Sequence, residues 1–154
     1  MSVRYFEDFE IWKLSRKLTN KIYSISKDGK FAKDFGLRDQ IRRAAVSIMS
    51  NIAEGYERGG NQEFIQFLSI AKASCGEVRS QLYVVMDQGY TNKKECEQLI
   101  DNGRKLSIMI NHFIEYLKGG TYKGTKYKMP KQKSSKEKLD EMVEQIKAKK
   151  NKDE

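Results

Sequence analysis

From Phe64 to Val85 the chain places apolar or small residues at alternating steps of four and three: Phe64, Leu68, Ala71, Cys75, Val78, Leu82 and Val85. No other feature restricts the fold as strongly. A strand would repeat every two residues. A 3.5-residue period held this long demands a long helix packed nearly parallel to its neighbours with a left-handed crossing. Asn61 stands where an N-cap belongs. Ser69, Ala73 and Gly76 are small, so a second backbone is expected to come close on their side. Glycine inside a helix costs about 1 kcal/mol against alanine, and close packing at Gly76 would offset that cost.

Three further stripes follow the helical period. Ile11, Leu14, Leu18, Ile22 and Ile25, with Phe9 and Trp12 at the start, predict a helix from Asp8, as N-cap, to Ser26. The loop Lys27-Asp28-Gly29-Lys30 should end it, since glycine tolerates a left-handed turn. Leu37, Ile41, Ala44, Ala45, Ile48 and Ile52 predict a second helix, beginning near Phe35 with Asp34 as cap and stopping at Gly55. That helix also carries a smaller apolar patch, Val46, Met49 and Ala53, which predicts a neighbour across a subunit boundary. Tyr56-Glu57-Arg58-Gly59-Gly60-Asn61 is a turn, and it lacks the spacing of a phosphate loop. The last stripe runs through Cys96, Leu99, Ile100, Gly103, Leu106, Ile110, Phe113, Ile114 and Leu117, with Asn92 and Glu95 as a capping box. Short connections force antiparallel neighbours. The expected fold is all-α, an up-down-up-down four-helix bundle over residues 1–119.

Residues 120–154 read differently, as a lysine-rich C-terminal extension. Lys123, Lys126, Lys128, Lys131 and Lys133 are interspersed with Tyr122 and Tyr127, and Leu139, Met142, Val143 and Ile146 make a short amphipathic helix. The bundle holds 19 Lys and Arg against 15 Asp and Glu, and the extension 11 against 6, so most of the chain's net +9 sits in its last part. No apolar run is long enough to span a membrane, and the start carries no signal-peptide pattern; a cytoplasmic protein is expected.

The segment Gly36-Leu37-Arg38-Asp39-Gln40-Ile41-Arg42-Arg43-Ala44-Ala45-Val46-Ser47-Ile48, followed by Ser50-Asn51-Ile52-Ala53-Glu54-Gly55, resembles the signature of the 23S rRNA intervening sequence proteins. Phe67 to Ala71, Gly76 to Leu82 and the opening from Phe9 to Trp12 extend the resemblance over about Tyr5 to Leu117. Members of that family are typically encoded within insertions in bacterial 23S rRNA genes. A related branch, the accessory variability determinant of diversity-generating retroelements, forms a barrel-shaped homopentamer whose basic surface binds nucleic acid and a reverse transcriptase. The resemblance therefore implies a homopentamer. Met49 stands where the family usually has proline, and the extension past Gly120 exceeds the usual family length.

The expected function is that of a non-catalytic, oligomeric scaffold binding RNA or DNA along its phosphate backbone. Five copies of a +9 chain would gather about +45 on one particle, and polyanions would be drawn to it. Arg38, Arg42, Arg43, Lys72 and Arg79 on the bundle, with Lys123, Lys126, Lys128, Lys131 and Lys133, are the candidate contacts. Taken singly, each arginine is more simply solvated or paired, Arg42 with Glu54 or Arg79 with Glu77; the summed field is the stronger argument. The alternative is an accessory factor that docks on a reverse transcriptase of a diversity-generating retroelement. An enzyme is disfavoured. Glu54, Glu57, Glu63 and Glu77 could do acid–base work, but a ferritin-like site needs two Glu-x-x-His motifs and His112 is the only histidine. Cys75 and Cys96 read as buried thiols, and no metal, cofactor, membrane or small-molecule substrate is implied.

Overall fold

A computed structural model describes residues 3–121 and 123–124 of the chain. The described part is helical: a 3-10 turn at Phe6–Asp8, then α1 (Glu10–Ile25), α2 (Gly29–Lys33), α3 (Phe35–Glu57), α4 (Asn61–Asp87) and α5 (Lys93–Gly119). The four long helices form the antiparallel bundle, with α1 against α3, α3 against α4, α4 against α5 and α5 closing on α1. All seven residues of the Phe64–Val85 stripe are buried, as are Ile41, Ala44, Ala45, Ile48 and Ile52 of α3. Leu99, Ile100, Leu106, Ile110, Ile114 and Leu117 face them from α5. Period alone was enough to find this core, because only one face of each cylinder can be withdrawn from water.

The ends of the helices depart from expectation where side chains compete for the same backbone groups. Asp8 does not cap α1. Its carboxylate turns back and accepts from the Arg4 and Tyr5 N–H groups at 3.0 and 3.1 Å, which holds its pKa below the usual carboxylate value. Phe9 occupies the N-cap position instead. It belongs to an aromatic cluster, 5.2 to 5.7 Å from the rings of Tyr56, Phe64 and Phe113. Between Lys27 and Lys30 the chain does turn at Gly29, at φ +67°, but it goes straight into α2, a helix absent from the sequence reading. Phe31 of α2 is fully buried and stacks on Tyr90, centroids 5.4 Å apart. Asp34 caps α3 as expected, accepting from the Leu37 N–H at 3.1 Å.

Two glycines also take other roles. α3 runs through Gly55 to Glu57, and unbroken through Met49. A Cβ on Gly55 would come within 2.6 Å of the Phe67 Cβ, so this glycine is a packing contact between α3 and α4 and not a stop signal. Gly76, expected to admit a neighbouring backbone, does not; a Cβ there would meet only the end of Arg79, at 3.9 Å. Asn61 is the first residue of α4 and does not cap it. Its backbone N–H donates to the Lys123 carbonyl at 3.0 Å, and its side chain donates to the Leu117 carbonyl at 3.1 Å. The glycine-rich turn is therefore filled by this chain's own residues. Gly124 packs on the Gly59 carbonyl and Gly60 in a conformation, φ +120°, that favours glycine.

Candidate nucleic-acid interface

The basic residues named from sequence fall on two opposite seams of the bundle. Arg38, Arg42 and Arg43 lie on α3. Arg38 is turned inward, its Nη1 donating to the Ala32 carbonyl and its Nε to Asp39, both at 3.0 Å, over the ring of Phe35. It ties α2 to α3. Arg42 reaches across to α1, where its Nε donates to Ser26 Oγ at 2.8 Å and its guanidinium covers the Tyr23 ring at 4.5 Å. The pairing of Arg42 with Glu54 is not formed, because twelve residues along α3 set them roughly 18 Å apart; Glu54 pairs with Arg58 at 2.9 Å. Arg43 is exposed. With Tyr23, Arg42, Val46 and Ser50 it lines an open cleft of about 480 Å³.

Lys72 and Arg79 sit on the far side, where α4 meets α5. They line a second cleft of about 470 Å³ together with Ser69, Ser107, Asn111, Glu115 and Lys118. Lys72 Nζ donates to Asn111 Oδ1 at 2.7 Å, and Lys118 pairs with Glu115 at 3.0 Å. Arg79 is half-buried and its Nε is buried without a partner; Glu77 instead accepts from Gln81. A third cleft, of about 330 Å³ between α1 and α5, sets Lys17, Lys21 and Lys105 around Leu14, Leu18, Leu106 and Met109. Lys17 and Lys21 lie on the polar side of α1, and nothing in a helical period reveals that a partner helix brings Lys105 to meet them.

Charge pairing separates these residues. The ion pairs among the described residues all join neighbours along one helix, such as Lys105 with Asp101 at 2.8 Å and Arg104 with the same carboxylate at 3.8 Å. The hydrogen bond from Lys105 lowers the pKa of Asp101. Exposed pairs of this kind contribute little to stability. Arg42, Arg43, Lys72 and Arg79 form no ion pair among the described residues. No carboxylate neutralises them there, although Arg42 is held by Ser26 and Tyr23 and Lys72 by Asn111.

The remaining candidates divide similarly. Lys123 is exposed while its carbonyl is held by Asn61; Lys126, Lys128, Lys131 and Lys133, the two extension tyrosines and the stripe from Leu139 to Ile146 lie outside the described residues. Val46 is 39% exposed, with Met49 and Ala53 half-buried beside it. Larger apolar groups stand out on α4: Ile70, Tyr83 and Val84 are each more than two-fifths exposed. Burial pushes the Cys75 thiol up to about 12 and raises Cys96 as well, so neither is a nucleophile near neutral pH. No group of three or more His, Cys, Asp and Glu suited to a metal occurs among the described residues, and none of their helices is long and apolar enough to cross a membrane.

The sequence profile of the 23S rRNA-intervening sequence proteins matches residues 7–112 of this chain. A solved structure of similar fold is a protein of unknown function from the S23 ribosomal protein family of Bacteroides thetaiotaomicron. It is 21% identical, with a TM-score of 0.62, over 68% of this chain and 98% of that one. No curated protein matches the chain.

Proposed function

The chain belongs to the 23S rRNA-intervening sequence protein family, and from that premise we propose that it is a non-catalytic scaffold that binds the phosphate backbone of nucleic acid. The observation that carries the proposal is the set of cations without a carboxylate partner. Arg42, Arg43, Lys72 and Arg79 line open clefts on a chain of net charge +9. Cations placed so release counterions when they meet phosphates, with little reading of base edges. Self-association would multiply the effect. The patch around Val46 and the exposed apolar residues of α4 are the surfaces offered for it, and the pentamer of the related branch gives the expected number.

The full chain should bind a single-stranded RNA oligonucleotide and a DNA duplex in fluorescence anisotropy. Affinity should fall roughly tenfold or more between about 50 and 200 mM salt. Light scattering should return the mass of an oligomer. Absence of binding to either polyanion at the lower salt concentration would rule the scaffold reading out.

A further inference from the structure

We propose that the α4–α5 cleft is a seat for a single phosphate group, with the Arg79 guanidinium as its fork and Lys72 as its second cation. This deepens the scaffold reading and rests on it.

The arginine is held in place by what its neighbours lack. Gly103 of α5 is buried, and a Cβ on it would stand 3.0 Å from Arg79 Cγ and 3.5 Å from Cδ. The glycine therefore lets the arginine stem lie across the seam. At the other end a Cβ on Gly76 would be 3.9 Å from Nη2, so the guanidinium has no side chain over it on that side. Between the two glycines the side chain crosses the seam and lines the cleft. It makes no hydrogen bond or ion pair among the described residues, and its Nε is fully withdrawn from solvent. A part-buried cation without a partner costs stability, and an oxyanion meeting the outer nitrogens of the guanidinium from the cleft would offset part of that cost.

The surroundings suit a phosphate. Lys72 is steered by Asn111, and Ser69 and Ser107 add hydroxyls to the lining. Among the described residues Glu115 is the only carboxylate lining the cleft, and Lys118 pairs with it. A planar fork takes two phosphate oxygens at once, which a lysine cannot do. The group could be a phosphodiester of a nucleic-acid backbone or a free phosphate; the chemistry of the seat is the same.

The test compares Arg79→Gln with Arg16→Gln in the full chain. Arg16→Gln removes the same charge from the exposed face of α1, a helix that does not line the cleft. RNA affinity should fall about tenfold in Arg79→Gln, with the slope of log affinity against log salt reduced by about 0.7, and should change much less in Arg16→Gln. Arg79→Lys should keep the slope and lose part of the affinity. Inorganic pyrophosphate should shift the Arg79 Nε–H resonance in the unmodified protein, and thermal melts should show each variant folded. Equal losses in Arg79→Gln and Arg16→Gln would mean a diffuse field and overturn the seat, leaving the scaffold reading intact. A pyrophosphate shift without RNA binding would support the seat as a free-phosphate site and end the scaffold reading. Neither response would overturn both.

Discussion

On one side of α4 a glycine of α3 gives way to an aromatic ring; on the other a glycine of α5 gives way to a cation. Gly55 lets Phe67 and Phe64 come within 2.6 and 3.0 Å of where its Cβ would be, in a seam that also holds Ala44 and Ala45. Its polar crossings are a hydrogen bond of 3.0 Å between Ser47 and Ser74 and one of 3.4 Å from Gln81 Nε2 to Gln40 Oε1, though Gln81 Oε1 is itself buried without a partner. Gly103 performs the same steric service for Arg79, whose polar end is left unmatched. Close approach thus means opposite things in the two seams. Beside α3 it increases dispersion and burial. Beside α5 it immobilises a charge, and a fold gains nothing from that unless something binds the charge.

Substitutions can break that contrast or sharpen it. Phe64→Ala should have the largest effect, because Phe64 packs on Phe9, Tyr56 and Phe113 and so anchors both seams at one end. A loss of about 4 kcal/mol in urea unfolding is expected. Gly55→Ala should cost about 2 kcal/mol, the strain of overpacking exceeding the gain in helix propensity. The ring's own Cβ is what it strikes, and that atom cannot move without its backbone. Gly103→Ala should leave stability within about 1 kcal/mol, since a flexible arginine stem can yield. Its RNA affinity should nevertheless fall, because the guanidinium is displaced from the cleft. A variant of Gly103 that lost stability as Gly55→Ala does, with unchanged RNA binding, would make the two seams alike.

The smallest expected effect is a pH dependence at the other end of the bundle. The Tyr90 hydroxyl donates to Asp34 Oδ2 at 3.0 Å, and this hydrogen bond raises its pKa above the ordinary 10.0. The folded state therefore favours the protonated phenol. Its contribution is whole below the unfolded pKa and is lost as pH rises through the folded one. Melting temperature should decline as pH rises above about 10, and less in Tyr90→Phe than in the unmodified protein.

Much of the bundle was legible because each helix announces its buried face by spacing. The caps at Asp34 and at Asn92, whose side chain accepts from the Glu95 N–H at 2.7 Å, were legible for the same local reason, but the expected box is only half formed, since the Glu95 carboxylate accepts from the Thr91 hydroxyl instead. Asp8 and Asn61 were misread because a capping side chain can serve whichever backbone groups come within reach, and here those were Arg4, Tyr5 and Leu117. α2 was missed because it is only five residues long and owes its place to one side chain, Phe31, stacked on a tyrosine far along the chain. In the candidate site, Lys72 and Arg79 were named from charge alone. Gly103 was counted as one more member of a buried stripe, though a glycine inside a helix was the available signal that something large crosses there.

The sequence by itself determined the number of long helices, their buried faces and the excess of positive charge, since periodicity and composition are properties of the chain read along its length. Only the tertiary structure decided which cations are spent on the fold and which are left over. Arg38 and Arg42 found a carbonyl and a hydroxyl on neighbouring segments. Arg79 found a glycine on α5 and no acceptor. An arginine's partners come from whichever helix happens to face it, and that is fixed by packing across the bundle, not by the residues beside it in the chain.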